Sequence, residues 1–200
     1  FFNYLPWLVN HARRYAYVYT LAHHEKNVFR GLGLNNCSHL HIPVVDIAQE
    51  YKRDPGATAD VLTILMLGNL HANYNGLRAL GKYLLPLLDE RGYAERVLIK
   101  IVGSLPDDIP QDIERILRHK LIEATGYVED IEGQLASADV LFYPINHPVG
   151  VRTKIILASS FRCAIVTNSS SKEGIPELSD GINAIISSSD KVLSERLAEL

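Results

Sequence analysis

From Val61 onward, apolar runs of strand length alternate with segments of helical periodicity, and this alternation constrains the fold more than any other feature. The first run, from Val61 to Leu67, is almost continuously apolar, which is typical of a strand buried on both faces. Further strands are predicted at 97–102, 121–125, 140–143, 164–167 and 182–186. Helices are predicted from Asn75 to Leu88 and at 111–119, 131–138, 151–160 and 191–200. Pro86 is expected to kink or end the first of these helices. Strands joined by helical crossovers imply a Rossmann-like α/β fold, a parallel sheet with helices on both faces.

Residues 1–45 carry a shorter α/β pattern of their own. Helices are predicted over 2–11 and 22–30, and strands over 15–20 and 38–45. The polar stretch 46–60 contains the turn signal Asp54-Pro55-Gly56 and is interpreted as a linker to a unit that spans 61–200. Because the sequence starts without Met and without a signal-peptide pattern, we expect that it begins inside a longer protein.

The composition argues against several classes of protein. A net charge of −3 with no basic run predicts no nucleic-acid partner. The two cysteines, Cys37 and Cys163, are too few for a disulfide framework and favour a reducing, cytoplasmic compartment. No apolar run approaches the roughly 20 residues that a membrane-spanning helix needs.

The histidines do not have the spacing of metal ligands. His39 and His41 are two apart on a predicted strand, and His23 and His24 are adjacent on a predicted helix. Neither pattern matches zinc ligation, so we predict neither a metal site nor a cofactor. His147 is of more interest because it lies on a candidate ligand loop.

Ligands of parallel sheets bind beyond the carboxyl ends of the strands, and the loop after strand 140–143 is the most informative one. It leads through Gly150 into a helix, whose first turn presents free N–H groups and partial positive charge to an anion. Gly150 permits a close backbone approach, Lys154 offers a point charge and Arg152 a fork of donors. The alternative is that both cations are ordinary solvated helix residues.

Two further loops are weaker candidates when taken alone. The segment from Gly68 to Gly76 is rich in Gly and Asn but matches neither a Walker loop nor a dinucleotide fingerprint, and Asn75 is alternatively a helix N-cap. The segment from Gly126 to Asp130 joins a strand to a short helix, for which Asp130 is a suitable N-cap.

In chain order, these loops together resemble the C-terminal domain of retaining, group 1-type GT-B glycosyltransferases over residues 62–200. The resemblance is carried by Gly68-Asn69-Leu70, Ile101-Val102-Gly103, Gly126-Tyr127-Val128-Glu129-Asp130-Ile131, Leu135-Ala136-Ser137-Ala138-Asp139-Val140, Tyr143-Pro144-Ile145, Gly150, Arg152-Thr153-Lys154-Ile155 and Pro176-Glu177-Leu178-Ser179-Asp180-Gly181-Ile182-Asn183. Residues 15–45 resemble the last strand-helix-strand of that family's N-terminal domain. The resemblance therefore implies the end of an N-terminal GT-B domain at 1–45, a linker at 46–60 and a C-terminal nucleotide-sugar-binding domain at 61–200.

The resemblance implies that a nucleotide-diphosphate sugar is the donor and that a sugar, lipid or protein is the acceptor. It leaves open a peripheral membrane contact through the N-terminal domain. Gly150 and the helix start would face the diphosphate with Lys154 as countercharge, the loop at Tyr127 would border the base, and the loop at Gly68 would border the phosphates. The implied substrate-binding residues are Gly68, Asn69, Tyr127, Val128, His147, Val149, Gly150, Arg152, Thr153 and Lys154. No catalytic residue is identified, and we expect this part of the protein alone not to turn over substrate.

The sequence departs from the family pattern in the same loops. Leu157 stands where members usually carry a carboxylate for the donor ribose, and Pro148-Val149 stands where many carry a Glu or a glycine pair. Asn69 and Asn75 replace a basic pair of the first loop. These departures support the alternative of a degenerate, non-catalytic GT-B-like binding or scaffold module. A GT-B epimerase or phosphorylase and a flavodoxin-like regulatory domain rank lower.

Overall fold

The computed structural model describes residues 4–44, 61–146 and 150–200. The interpretation of 46–60 as a linker and the ligand candidates His147 and Val149 lie outside the described residues. The N-terminal unit contains α1 (Leu5–Ala12), β1 (Val18–Thr20), α2 (His23–Gly31) and β2 (Cys37–His39). The following unit contains β3 (Leu62–Leu67), α3 (Tyr74–Ala79), α4 (Leu85–Glu90), β4 (Val97–Val102), α5 (Gln111–Leu117), β5 (Ile122–Gly126), α6 (Ile131–Ala136), β6 (Val140–Tyr143), α7 (Thr153–Ser160), β7 (Ala164–Asn168), α8 (Ser171–Gly174), β8 (Ile185–Ser187) and α9 (Asp190–Leu197).

The large sheet is parallel throughout, with the strand order β5-β4-β3-β6-β7-β8. The chain first moves outward from β3 through β4 to β5, and then returns to pair β6 with the other side of β3. In that pairing Ile64 lies opposite Val140 and Leu65 opposite Leu141. The direction of winding therefore reverses between β3 and β6, and the loops after these two strands diverge to form a crevice, the usual ligand position in such sheets.

Helices cover both faces of the sheet, as the sequence predicts. Ile64 and Met66 pack into one core with α3, α4, α5 and α9, while Leu65 and Leu67 pack into a second core with α6 and α7. All four side chains are buried. β3 is a central strand, and helices cover both faces of the sheet. Side chains that point to either face are therefore buried, which explains the almost continuous apolar run of β3.

The helix after β3 passes Pro86 instead of ending there. It runs as α3, a π-helical turn at Leu80–Leu84, and α4, which has Pro86 in its first turn. A proline lacks the N–H of a regular helical hydrogen bond, and the wider π turn immediately before it accommodates that loss. The predicted distortion is therefore present, but an end at Pro86 is wrong because an apolar stripe holds the helix on the sheet. The fully buried members of that stripe are Leu77, Leu80, Leu84 and Leu88.

Several predicted boundaries are wrong for tertiary reasons. The last strand is Ile185–Ser187 instead of 182–186, because 181–184 form a turn in which the Gly181 N–H donates to the Ala184 carbonyl at 2.9 Å. Ser171–Gly174 forms a short helix, α8, that is not among the helices predicted from the sequence. Among the described residues of the N-terminal unit, only 18–20 and 37–39 pair, so the strands predicted at 15–20 and 38–45 are both shorter in the structure.

The N-terminal unit is a small α/β piece with its own core. Its two short strands are parallel, and Ala12, Leu34 and Cys37 form the buried centre against which Val18 and Phe29 pack. Cys37 and Cys163 are both buried, and neither forms a disulfide within the described residues. Within the described residues, none of the helices combines the length and the apolar character needed to cross a membrane.

A substitution at Gly103 tests the close packing of the strand ends. Gly103 has φ +151°, and a Cβ there would lie 1.6 Å from the Gly68 carbonyl oxygen. We expect Gly103→Ala to lower the free energy of unfolding by roughly 3 kcal/mol or more, because backbone strain adds to an atomic overlap that only backbone movement can relieve. Urea denaturation measures the change.

Gly92→Ala is the matched control. Gly92 also has a positive φ, +70°, but a Cβ there meets nothing within 4 Å. It should cost only the backbone strain of about 1–2 kcal/mol. Equal losses of stability in the two variants would contradict the packing described for Gly103.

Candidate functional site

Three adjacent strands end side by side at glycine residues. The Gly68 N–H donates to the Val102 carbonyl at 2.9 Å, and the Gly103 N–H donates to the Gly126 carbonyl at 2.8 Å. The overlap that a Cβ on Gly103 would make with Gly68 shows how closely these two backbones pack. The loops after β3, β4 and β5 therefore leave the sheet from one compact edge.

Lys154 lies across the crevice between β3 and β6. It belongs to the first turn of α7, and its side chain extends to the backbone of Gly68. An ideal Cβ on Gly68 would be 3.2 Å from Lys154 Cε and 3.4 Å from Nζ. The structure thus brings together the two loops that the sequence suggested separately, and it places an ammonium group where they meet.

The Gly150 backbone lies against α8, and the sequence did not predict this contact. A Cβ on Gly174 would be 2.6 Å from the Gly150 carbonyl oxygen and 3.3 Å from Val151 Cα. Gly150 has φ +59°, and α7 begins at Thr153 soon after it. Gly174 therefore helps to set the position of the turn that leads into the helix, and only a glycine fits this close approach.

Arg152 is not a solvated helix residue. Its side chain is 7% exposed, and its guanidinium carbon lies 6.0 Å from the centre of the Tyr143 ring. Burial raises the pKa of Tyr143, and the charge and hydrogen bond of Arg152 oppose that rise. The helix begins later than predicted, because Arg152 occupies the N-cap position and its carbonyl accepts the Ile155 N–H at 2.9 Å. The solvated alternative is thus wrong for Arg152.

The remaining described candidates lie at the same edge of the sheet with different exposure. Asn69 is exposed, and its side-chain oxygen accepts the His71 N–H at 3.0 Å. Tyr127 is 77% exposed, while Val128 packs partly against the core beneath α6 and α7. Thr153 is exposed in the first turn of α7. Since Tyr127 follows β5, which is two strands from β3, about 10 Å separates it from the Gly68 loop.

The two helix caps suggested by the sequence have opposite outcomes. Asp130 is the N-cap of α6, where its carboxylate accepts the Gly133 N–H at 2.7 Å, so that prediction is confirmed. Asn75 is not an N-cap, because α3 begins at Tyr74 and Asn73 occupies the cap position. Asn73 is 7% exposed, and its side-chain oxygen has no hydrogen-bond partner among the described residues.

The N-terminal unit contacts the larger unit next to α8. The His24 ring donates from Nδ1 to the Glu173 carbonyl at 3.1 Å, and His41 Nδ1 lies 2.8 Å from a Glu177 carboxylate oxygen. Between the units is a mainly aliphatic cavity of about 270 Å³. Val151 and Gly174 line this cavity, so it lies behind the Gly150 turn.

Several histidine rings gather in the N-terminal unit. The ring centres of His23 and His39 are 5.5 Å apart, and those of His39 and His41 are 4.4 Å apart. Over the part of the chain that the structure describes, no three or more His, Cys, Asp or Glu side chains are arranged to hold a metal ion. Their contacts are instead hydrogen bonds, such as that of His39 Nε2 with the Leu21 carbonyl at 3.1 Å.

Comparison with solved structures shows the same fold in several proteins. The Alr3699/HepE protein of Anabaena, solved with UDP, is 16% identical with a TM-score of 0.68, over 96% of this chain and 56% of that chain. The pneumococcal O-GlcNAc transferase GtfA, solved with UDP and GlcNAc, is 14% identical with a TM-score of 0.72, over 98% and 40%. WaaG, a glycosyltransferase involved in lipopolysaccharide biosynthesis, is 13% identical with a TM-score of 0.68, over 90% and 52%. The chain therefore spans about half the length of HepE and WaaG.

Sequence comparison adds the family. A search of curated proteins finds no significant match. The family model described as "Glycosyl transferases group 1" matches residues 61–200, which contain the whole large sheet and both sides of the crevice. The chain belongs to the group 1 glycosyl transferase family.

Proposed function

We propose that this chain binds a nucleoside-diphosphate sugar at the β3–β6 crevice, within a protein that transfers the sugar to an acceptor. The observation that carries the proposal is the meeting of Lys154 with Gly68 at this position. Family membership supports glycosyl transfer as the reaction class. The presence of UDP in the HepE and GtfA structures supports a nucleoside diphosphate as the ligand.

The diphosphate is assigned to the start of α7. The N–H groups at the start of the helix and the partial positive charge of the helix end favour an anion there. Lys154 adds a full positive charge from within that turn, and the exposed hydroxyl of Thr153 adds a donor. Gly150 lets the phosphates approach the backbone at the turn before the helix, and Gly68 with Asn69 forms the opposite wall.

The base is assigned to the loop after β5. Tyr127 offers an exposed aromatic ring for stacking, and Val128 offers an apolar surface beside it. The separation of about 10 Å between this loop and the Gly68 loop leaves the ribose to span the strand end of β4. Leu157 is half-buried on α7, one turn after Lys154, and cannot accept hydrogen bonds from ribose hydroxyls. Binding then depends on the phosphates and the base.

The chemistry needs charge stabilisation more than a reactive side chain. The bond between the sugar C1 and the phosphate oxygen breaks, and its electron pair stays on the departing nucleoside diphosphate. A bond from C1 to the acceptor forms, and the acceptor loses its proton. The Lys154 ammonium and the N–H groups of α7 stabilise the charge that grows on the leaving group, which lowers the barrier. We propose that the configuration at C1 is retained.

Lys154→Met tests the assigned phosphate site. The variant keeps most of the length of the side chain and removes its charge, so we expect the affinity for the bound nucleoside diphosphate to fall between about tenfold and a hundredfold. Calorimetric titration of the full-length protein with UDP, GDP, ADP and dTDP measures the affinities.

Lys120→Met is the matched control, because Lys120 is exposed and precedes β5, at the amino ends of the strands and away from the crevice. It should bind like the wild type. Wild-type protein that binds none of the four ligands, or a Lys154→Met variant with unchanged affinity, would contradict the proposal.

Product analysis tests the reaction itself. The full-length protein incubated with the sugar conjugate of the nucleotide that binds best should release the nucleoside diphosphate. NMR of the anomeric proton should show that the freed or transferred sugar initially has the configuration of the donor. Tight binding without release would instead support the non-catalytic module, and an inverted configuration would contradict retention.

A further inference from the structure

The contact between Arg152 and Tyr143 suggests a role that differs from that of Lys154 and that rests on the proposed donor pocket. Lys154 is partly exposed at the crevice, whereas Arg152 is directed into the protein. We propose that Arg152 is a positioning residue, which fixes the anion pocket from behind through its contact with Tyr143 and does not bind the diphosphate directly.

The contact joins the end of β6 to the start of α7. Tyr143 is the last residue of β6, and Arg152 is the N-cap of α7. These two residues therefore lie at the two ends of the connection from β6 to α7. The guanidinium lies over the Tyr143 ring at 6.0 Å and hydrogen-bonds its side chain. Arg152 is only 7% exposed and Tyr143 only 6%, so this contact joins the end of β6 to the start of α7 away from water.

The strand end to which Arg152 is attached is itself fixed. The Thr167 hydroxyl donates to the Tyr143 carbonyl at 2.8 Å, and the Ser170 hydroxyl donates to the Ile145 carbonyl at 3.0 Å. Gly174 supports the far side of the loop at Gly150. Arg152, the residue directly before α7, therefore contacts a strand end that hydrogen bonds hold in place.

This anchoring matters for binding because the pocket depends on backbone N–H groups. The N–H groups at the start of α7 bind an anion well only if the loop before them has one conformation. If the contact with Tyr143 is lost, the start of α7 must be ordered when the ligand binds, and that ordering reduces affinity. A change at Tyr143, which is buried behind the pocket, should then weaken ligand binding as a change at Arg152 does.

A double-mutant cycle in the full-length protein tests the inference with UDP as the probe. Tyr143→Phe removes only a hydroxyl, and Arg152→Lys keeps the charge but loses the planar fork. We expect each to weaken UDP binding on the order of tenfold, and the double variant to be no weaker than the weaker-binding single variant, since both break one contact.

Amide hydrogen exchange without ligand gives a second readout. Peptides covering 150–156 should exchange faster in both single variants while the melting temperatures stay close to that of the wild type. Tyr93→Phe is the matched control, because Arg96 lies over the Tyr93 ring at 5.9 Å, at the opposite edge of the sheet. It should change neither UDP affinity nor exchange at 150–156.

The outcomes separate this inference from the proposed function. If Arg152→Lys weakens UDP binding but Tyr143→Phe changes neither affinity nor exchange, Arg152 acts on the ligand directly and the inference fails, while the donor site stands. Additive losses in the double variant would also overturn it, since additivity means separate contacts. A lower melting temperature with unchanged affinity and unchanged exchange at 150–156 would reduce Arg152 to a purely structural role. Wild-type protein that binds no nucleoside diphosphate would remove the proposed function as well.

Discussion

The position of Lys154 against Gly68 depends on one topological constraint, the reversal of winding between β3 and β6. The two strands are paired neighbours, yet the loops after them lead to opposite faces of the sheet. A crevice must open between them, and α7 begins on one side of it. On the opposite side, β3, β4 and β5 end at glycines, which have no side chains to project from the strand ends. A side chain on Gly68 would fill the crevice, and one on Gly103 would clash with the Gly68 backbone.

The polar groups at this edge divide into those that face the crevice and those that support it. Thr153 is exposed and Lys154 is partly exposed at the start of α7, where a ligand can reach their side chains. Arg152 and Tyr143 are buried beneath them. A helix end alone is a weak anion site in water, and its strength depends on how rigidly its N–H groups are held before the ligand arrives. The supporting contacts therefore decide how much the exposed ones contribute.

The sequence predicts the large unit well because its strands are buried on both faces. Continuous apolar runs mark β3 and β6, and a parallel sheet then places the following loops at one edge. That is enough to predict that the loops at Gly68 and Lys154 share a site. It is not enough for Arg152, since a cation at the start of a helix has the same local pattern whether it is solvated or buried. Gly174 was missed because its importance comes from Gly150, a contact between segments that are distant in sequence.

The N-terminal unit adds a second surface behind the same loop. The pair of His41 and Glu177 is exposed on both sides, and such pairs contribute at most about 1 kcal/mol, so the aliphatic cavity wall carries more of the contact between the units. Val151 belongs to that wall and follows Gly150 directly. A ligand bound at Gly150, as we propose, would therefore act on the same short piece of backbone as the packing of the two units.

A crystal structure of the full-length protein with the nucleoside diphosphate that it binds most tightly tests the central claim most directly. The account predicts phosphate oxygens within hydrogen-bond distance of Lys154 Nζ and of backbone N–H groups at the start of α7, with the Arg152 guanidinium still over Tyr143. A diphosphate bound away from the β3–β6 crevice, for example in the cavity between the two units, would contradict it.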